Sequence, residues 1–587
     1  ANTALAEIYL AQSNFSRAEP AITQAVRLSR QAGNPRALWQ AATISGNILR
    51  GQQKWDAARQ AYEEAIATIE SMKQQLSSDV QIVPFLANKT EPYYQLSQML
   101  AERGQKIEAL DYAERAKSQA LIEVLRYGRT DISKAMTSRE RKQEQELNAT
   151  ITLLNKQSLE ARQQSTDGSA DQEQLVAQLN KARTAYAAFQ QSLYAAHPAL
   201  RAQRGEFRRL SQAELLTLVP DKETALLEYL VTDKQAFLYV ITRPQPTQNS
   251  LINIDVYRLP VTRGQLQKDV ERFRQRLNDR HPDTEKSART LYAQLLVAAQ
   301  KNLKGKKRLT IVPDGPLWDL PFQALQSAPQ HYLLEDSALH YVSSLAALFE
   351  MRRLRASWSR GRREPTLLAF GNPFLGKVAN AGLPSGRNQL ALKPLPYAEA
   401  EVRALQNLYG IERSRIYTGA KAREEKAKKE AGQYRILHFA THALIDAANP
   451  MYSCIILSQE KGKPGEDGQF QVRELLKLNL QADLVVLSAC ETGRGRVSGG
   501  EGVIGLSWSL FVAGCPTTIV SQWQVNDAST ALLMQEFHRR LLAARRSAKT
   551  SVDVADILRQ AELYMLHSTR YSHPHHWAGF VVLGDNR

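Results

Sequence analysis

From about residue 206 onward the chain is punctuated by short runs that are apolar almost throughout and bounded by Gly, Pro and Asp. They are "ALLEYLV", "AFLYVIT", "RLTIVPDG", "TLLAFGNP", "RILHFATH", "DLVVLSAC", "TTIVSQW" and "GFVVLG". A strand with one wet face alternates; a strand that is apolar throughout must be covered on both faces. Helical patterns at 396–408 and 528–543 supply such cover, so this part predicts a mostly parallel α/β sheet.

The first 200 residues read differently. Small residues recur seven apart after a polar turn: Ala18 and Ala25, Ala58 and Ala65, Ala109 and Ala116. Small residues two turns apart let antiparallel helices approach closely, and stacked pairs bury faces that one pair cannot. Residues 1–125 therefore resemble tetratricopeptide repeats, with longer intervals than the usual unit of roughly 34 residues. Residues 126–205 carry Leu147, Ile151, Leu154, Leu175, Leu179 and Tyr186 at helical spacing around a turn at "STDGSAD", which predicts a long helical hairpin. The stretch 375–393 reads as an exposed linker and a candidate processing site, dividing the sheet region into 206–390 and 391–587. The fold class expected is thus α plus α/β, helical repeats and a hairpin followed by the sheet domain.

Composition narrows the function classes. The chain has 587 residues, more than one core can organise, and 43% hydrophobic with 23% charged residues describes a folded chain. Three cysteines, Cys454, Cys490 and Cys515, are too few for a disulfide framework and fit a reducing, cytoplasmic setting. No apolar run reaches the roughly 18 residues of a membrane span and no signal-peptide pattern opens the chain, so no membrane partner is expected. Beginning at Ala1 in mid-pattern, the chain reads as a fragment of a longer one. The formal charge of +17 admits a nucleic-acid partner. That partner is disfavoured, because the one dense basic run, Arg352, Arg353, Arg355, Arg360, Arg362 and Arg363, has no interleaved aromatic except Trp358.

Two strand ends finish in reactive residues before small-residue turns: "ILHFATHA" at His442 and "DLVVLSACETG" at Cys490. In a parallel sheet, the carboxyl ends of neighbouring strands share one edge, where ligands bind. The interval 490 − 442 = 48 matches the His-before-Cys order of caspase-type enzymes. An imidazole accepts a thiol proton and stabilises the thiolate, which assigns His442 as base and Cys490 as nucleophile. The backbone N–H groups of Cys490 and Ala443 are the candidate oxyanion donors.

These residues resemble those of the CHAT family, caspase- and separase-related peptidases commonly fused to tetratricopeptide repeats. The resemblance runs from about 206 to 587 through "LPYAEAEVRAL", "ILHFATHALIDAANPMYSCIILS", "ADLVVLSACETGRGRVSGGEGVIGLSWSLFVAGCPTTIVSQWQVNDAST" and "WAGFVVLGD". It implies a caspase-like sheet domain, a His442–Cys490 dyad and a structural role for 206–375. It also implies that Asp527 reads a basic residue before the cut, although Asp527 equally suits the N-cap of the helix at "DAST". Ala443 departs from the Gly that usually follows the family's catalytic His, and would be strained if that position needs φ > 0.

Other candidates have plainer readings. His438 lacks the following Glu of a zinc motif and reads as a hydrogen-bonded core histidine. His573, His575 and His576 read as a surface turn, Cys454 and Cys515 as packing residues, and Gly499, Gly500, Gly502 and Gly505 as a mobile loop near the site. Trp508 and Trp523 either line a substrate pocket or fill the core. No cofactor or metal is called for. The leading reading is a cysteine endopeptidase acting on a protein substrate, with a regulatory protein partner bound through the repeats. The alternatives are an inactive peptidase-fold scaffold and an effector governed by a nucleic-acid complex.

Overall fold

A computed structural model of the chain describes residues 1–75, 89–126, 136–144, 146–147, 150, 154, 170–197, 209–244, 251–357, 366–375, 392–444, 453–458, 467–488, 501–523, 526–547 and 552–586. The chain separates into two compact units, Ala1–Phe207 and Arg208–Arg587.

The first unit is helical: α1 (Asn2–Ala11), α2 (Phe15–Gln31), α3 (Pro35–Gly51), α4 (Trp55–Gln75), α5 (Glu91–Glu102), α6 (Lys106–Arg126) and α7 (Ala170–Ala196). Asn14 and Asn34 start α2 and α3 by accepting the Arg17 and Ala37 N–H groups, which have no partner within the helix. The alanines spaced seven apart are the buried ones: Ala18, Ala58, Ala65, Ala109 and Ala116 have no exposed surface. The approach is so close that a Cβ on Gly46 of α3 would sit 2.5 Å from the Tyr62 ring of α4. Ion pairs such as Arg59–Glu108 and Arg115–Glu70 join α4 to α6 at the surface. Such pairs contribute about 0–1 kcal/mol each, so the apolar seam holds the stack. Further on, Met136 packs with Phe189 and Leu193, while Leu154 packs with Ala182 and Tyr186. Rising numbers on one side meet falling numbers on the other, which is the antiparallel pairing of a helical hairpin.

The second unit is built on an eleven-stranded sheet in the order β3-β2-β1-β4-β7-β16-β15-β14-β10-β8-β9. Its strands are β1 (Thr224–Val231), β2 (Ala236–Thr242), β3 (Asn253–Leu259), β4 (Arg308–Val312), β7 (Ala338–Tyr341), β8 (Leu367–Pro373), β9 (Ser414–Gly419), β10 (Ile436–Ala440), β14 (Leu484–Leu487), β15 (Thr517–Ser521) and β16 (Phe580–Gly584). Small accessory sheets are made by β5 (Gln326–Ala328) with β6 (His331–Tyr332), and by β11 (Ala443–Leu444), β12 (Cys454–Ile456) and β13 (Gln469–Gln471). Every residue of β1 and β2 is buried. Each covered Leu, Ile or Val side chain contributes about 1.5–3 kcal/mol, which is why these runs cannot alternate.

Seven of the ten neighbouring pairs in the large sheet are parallel. The β15/β16 pair is antiparallel and reverses the sheet in its middle. The carboxyl ends of β8, β9, β10, β14 and β15 therefore share one edge, and those of β1, β4, β7 and β16 lie at the opposite edge. The longer described helices of the unit are α8 (Gln212–Leu218), α9 (Arg263–Asn278), α10 (Thr284–Leu295), α11 (Leu345–Ser357), α12 (Pro396–Tyr409), α13 (Glu424–Glu430), α14 (Glu501–Ala513), α15 (Asp527–Ser547) and α16 (Val554–Leu566). Helix α12 packs on β8, β9 and β10 and against α15, so these two helices form the layer beneath the β10 edge.

Two expectations need comment. Gly502 and Gly505 lie within α14, not in a loop, because the apolar stretch 501–513 forms a helix that packs against β15. Gly499, Gly500, residues 376–391 of the expected linker 375–393 and the hairpin turn at 165–169 lie outside the described residues, whereas the linker's ends Leu375 and Leu392 are buried together and not exposed.

Candidate active site

His442 stands two residues beyond the end of β10 and directly before β11, with only 4% of its surface exposed. Its Nε2 lies 2.7 Å from the backbone oxygen of Lys393. A carbonyl only accepts, so Nε2 carries the proton and Nδ1 keeps a lone pair. That Nδ1 is buried and has no hydrogen-bond partner among the described residues. An imidazole fixed in one tautomer with a sheltered free lone pair is equipped as a general base.

The residue after it is well placed for a second task. Ile456 N–H donates to His442 O at 2.8 Å, and Ala443 is the next residue along the β11/β12 ladder, opposite Ile455. In an antiparallel ladder bonded and non-bonded pairs alternate, so the Ala443 N–H is turned away from β12 and is free to donate elsewhere. Ala443 is not among the residues with positive φ, so no strain attaches to alanine at this position.

Neighbouring strand ends add to the edge. β14 is followed by Ser488 and β15 by Gln522 and Trp523. Ser488 Oγ and Trp523 Nε1 are buried without partners among the described residues. Buried polar groups are rarely left so, which makes this strand edge a candidate site. Trp523 is 2% exposed, so its ring packs and its N–H is the polar handle. Cys490, with its backbone N–H, lies outside the described residues, as does the Trp508 side chain.

The segment before α12 is held from two sides. Asn372, at the end of β8, accepts the Leu395 N–H at 2.8 Å and donates to Glu399 Oε2 at 3.3 Å. Asp527, in the first turn of α15, accepts the Tyr397 N–H at 3.0 Å. Its own helix is capped instead by Asn526, whose Oδ1 receives the Ser529 N–H at 3.1 Å. Burial raises the Asp527 pKa above the usual aspartate value; the Tyr397 N–H opposes this, the Glu401 charge adds to it, and the His442 charge and Ala398 N–H oppose it.

A polar chain lies beneath the edge. His438 Nε2 is 2.6 Å from Glu401 Oε1, His438 Nδ1 is 3.1 Å from His538 Nε2, and His538 Nδ1 is 2.9 Å from the Tyr409 hydroxyl. His438 and His538 have no exposed surface. Burial pushes His538 well below the usual histidine range, helped by the nearby His438 and Arg545, so it is neutral at neutral pH. One proton arrangement satisfies the chain: Tyr409 donates to His538, His538 to His438, and His438 to Glu401. His438 is a hydrogen-bonded core histidine.

The remaining candidates settle into the scaffold. Cys454 is buried and its thiol is pushed up to about 12, chiefly by desolvation, while Cys515 Sγ donates to Thr517 O at 3.1 Å. His576 is buried beside Ser529 and His573 and His575 are half-buried, so the turn is partly sunk into the surface. Arg352 and Arg355 both pair with the buried Asp585, which turns part of the basic run inward.

Residues 285–585 match the family model of the CHAT domain, just over half of the chain. The chain belongs to the CHAT domain family. Tetratricopeptide repeat protein 28 of Mus musculus is 24% identical over 316 residues, 48% of this chain and 12% of that protein. Its Homo sapiens counterpart is 26% identical over 312 residues, again 48% of this chain and 12% of that protein. The matched region thus spans about an eighth of the length of those relatives. Among solved structures, the Saccharomyces cerevisiae separase–securin complex is similar at a TM-score of 0.39 and 10% identity, covering 100% of this chain and 47% of that one. The Arg-specific cysteine proteinase gingipain R is similar at a TM-score of 0.31 and 11% identity, covering 55% of this chain and 74% of that one.

Some of the candidate site is invisible to sequence reading. The Lys393 carbonyl has no side-chain signal at all. Glu401 had one, as a carboxylate among Ala398, Val402 and Leu405 on the buried face of α12, where acids are rare. Asn372 sits in a Gly-Asn-Pro phrase, a turn signal at the very end of a strand.

Proposed function

We propose that the CHAT domain of this chain is a cysteine endopeptidase with His442 as general base and Cys490 as nucleophile. One observation carries the reading. β10 and β14 are parallel neighbours paired at an interval of 48 residues, as in Phe439↔Leu487. The same interval, 490 − 442 = 48, separates a histidine whose Nδ1 is buried and free from the cysteine. In this mechanism the Cys490 thiol gives its proton to His442 Nδ1 and the thiolate attacks the scissile carbonyl carbon. The carbonyl electron pair moves to oxygen, where the Cys490 and Ala443 N–H groups donate to it. Collapse expels the amine, which takes the proton from His442, and water then hydrolyses the thioester. The Asp527 carboxylate at the start of α12 supports a preference for Lys or Arg before the cut. The repeats serve to hold the protein substrate or a regulatory partner in the grooves between stacked helices, in a reducing cytoplasm that suits Cys454 and Cys515 as thiols outside any disulfide.

The test is digestion of a mixed-sequence peptide library with the parent chain and with Cys490→Ala, with cut sites read by mass spectrometry. Cuts that need Cys490 and follow a basic residue are expected. Equal cutting by both proteins, or none by either, would remove the reading.

A further inference from the structure

The tautomer of His442 depends on where the Lys393 carbonyl is held. Lys393 belongs to a short strap, 392–395, that runs into α12. The strap is tied at Leu392, which is buried with Leu375, Leu444, Cys454 and Ile456. Its polar tie is Asn372, which follows the last β8 residue paired with β10, Gly371 opposite Ala440. Asn372 has φ +46, in the left-handed region. Only glycine enters that region freely, and asparagine and aspartate are the side chains that tolerate it best. The conformation turns the amide toward the strap, where Oδ1 receives Leu395 N–H and Nδ2 reaches Glu399 Oε2. A non-glycine residue kept in such a conformation beside a candidate base is a structural cost that its hydrogen bonds offset.

We propose that Asn372 is a positioning residue for His442: by fixing the 392–395 strap it holds the Lys393 carbonyl against Nε2–H and keeps Nδ1 as the free base. The inference rests on the peptidase reading for its consequence in catalysis, but its structural half does not need that reading. The hydrogen bonds of Asn372 go to Leu395 of the strap and Glu399 of α12, so it acts through the strap. Its two hydrogen bonds have opposite polarity, so they can be exchanged. In Asn372→Asp with Glu399→Gln, the new carboxylate still accepts Leu395 N–H and the new amide donates back across the same gap.

The test compares the full chain, Asn372→Gly, and the double variant Asn372→Asp/Glu399→Gln. Glycine keeps the backbone conformation without strain and removes only the amide. Ring-nitrogen NMR of histidine-labelled protein, with the His442 signal assigned by its loss in His442→Gln, reads the tautomer without any appeal to activity. The parent is expected to show one protonated nitrogen with a slowly exchanging proton and one bare nitrogen. Asn372→Gly is expected to lose that slow proton, and the double variant to regain it. For peptide cleavage, kcat/KM should fall about 10- to 100-fold in Asn372→Gly, the usual consequence of a misplaced reacting group, and recover in the double variant. A slow Nε2 proton retained in Asn372→Gly, or lost there and not restored by the exchange, would overturn the role. If no chain cleaves peptides but the NMR pattern holds, the positioning stands and the peptidase reading alone falls.

Discussion

At the scale of single residues, the site is decided by which atoms are already engaged. His442 spends Nε2 on a backbone oxygen and keeps Nδ1. Asp527 spends Oδ2 on the amide at the start of α12, so any contact to a substrate cation is shared with that duty. Close packing constrains the same spot. A Cβ on Gly371 would lie 2.7 Å from Ala398 O and from Val402 Cγ2, at the contact between β8 and α12. Gly371→Ala should therefore cost about 1–3 kcal/mol through overpacking. Urea denaturation checks this, and an unchanged midpoint would show that α12 can move aside. His442 and Cys490 stand out in the sequence because each ends an apolar run with a reactive side chain. The Lys393 oxygen was not, since a main-chain carbonyl is common to every residue and only the fold brings this one to the imidazole.

At the scale of elements, the buried chain Tyr409–His538–His438–Glu401 ties α12 and α15 to β10. Glu401→Leu leaves the His438 N–H buried and unmet, a loss of about 1–3 kcal/mol. Adding His438→Leu removes the orphan as well, so the double variant should lose less than the two singles together, by about 0.5–3 kcal/mol. A double-mutant cycle in urea measures this, and simple additivity would mean that the two side chains do not act as a unit. All eight apolar runs in the sequence form strands. β3, β7 and β9 were missed: β3 and β9 are the two edge strands and are mostly half-exposed, while β7 is buried throughout but spans only four residues with His340 among them. None of the three therefore shows a continuous apolar run.

At the scale of the whole molecule, the reversal at β15/β16 assigns the reactive edge to one half of the sheet. Nothing local in "GFVVLG" announces its direction, because the reversal comes from the last strand returning to the middle of the sheet. Stability has a global acid limb as well. Burial holds His575 and His576 at about 4 against an ordinary 6.5, and lowers His573 and His538 too. Between those values the unfolded chain binds protons that the folded one refuses, so stability should fall as pH drops from 6.5 toward 4 and be level above 6.5 from these groups. The buried Glu562, whose carboxyl is pushed up by desolvation, contributes the opposite slope, so the histidine contribution is read as a difference: the parent's midpoint should fall more steeply toward pH 4 than that of His575→Gln, and parallel profiles would contradict it.

The claim on which the rest depends is that His442 takes the proton of Cys490, and the rate of Cys490 alkylation by iodoacetamide against pH, in the parent chain and in His442→Gln, tests it most directly. With the imidazole as partner, alkylation should stay fast at pH 6, well below the ordinary thiol pKa of about 8.5, and fall at least about tenfold in His442→Gln. Cys454, with its thiol pushed up to about 12, and the buried Cys515 should stay unmodified as internal controls. If Cys490 followed an ordinary thiol titration with the same rate in both proteins, the two residues would not form a dyad.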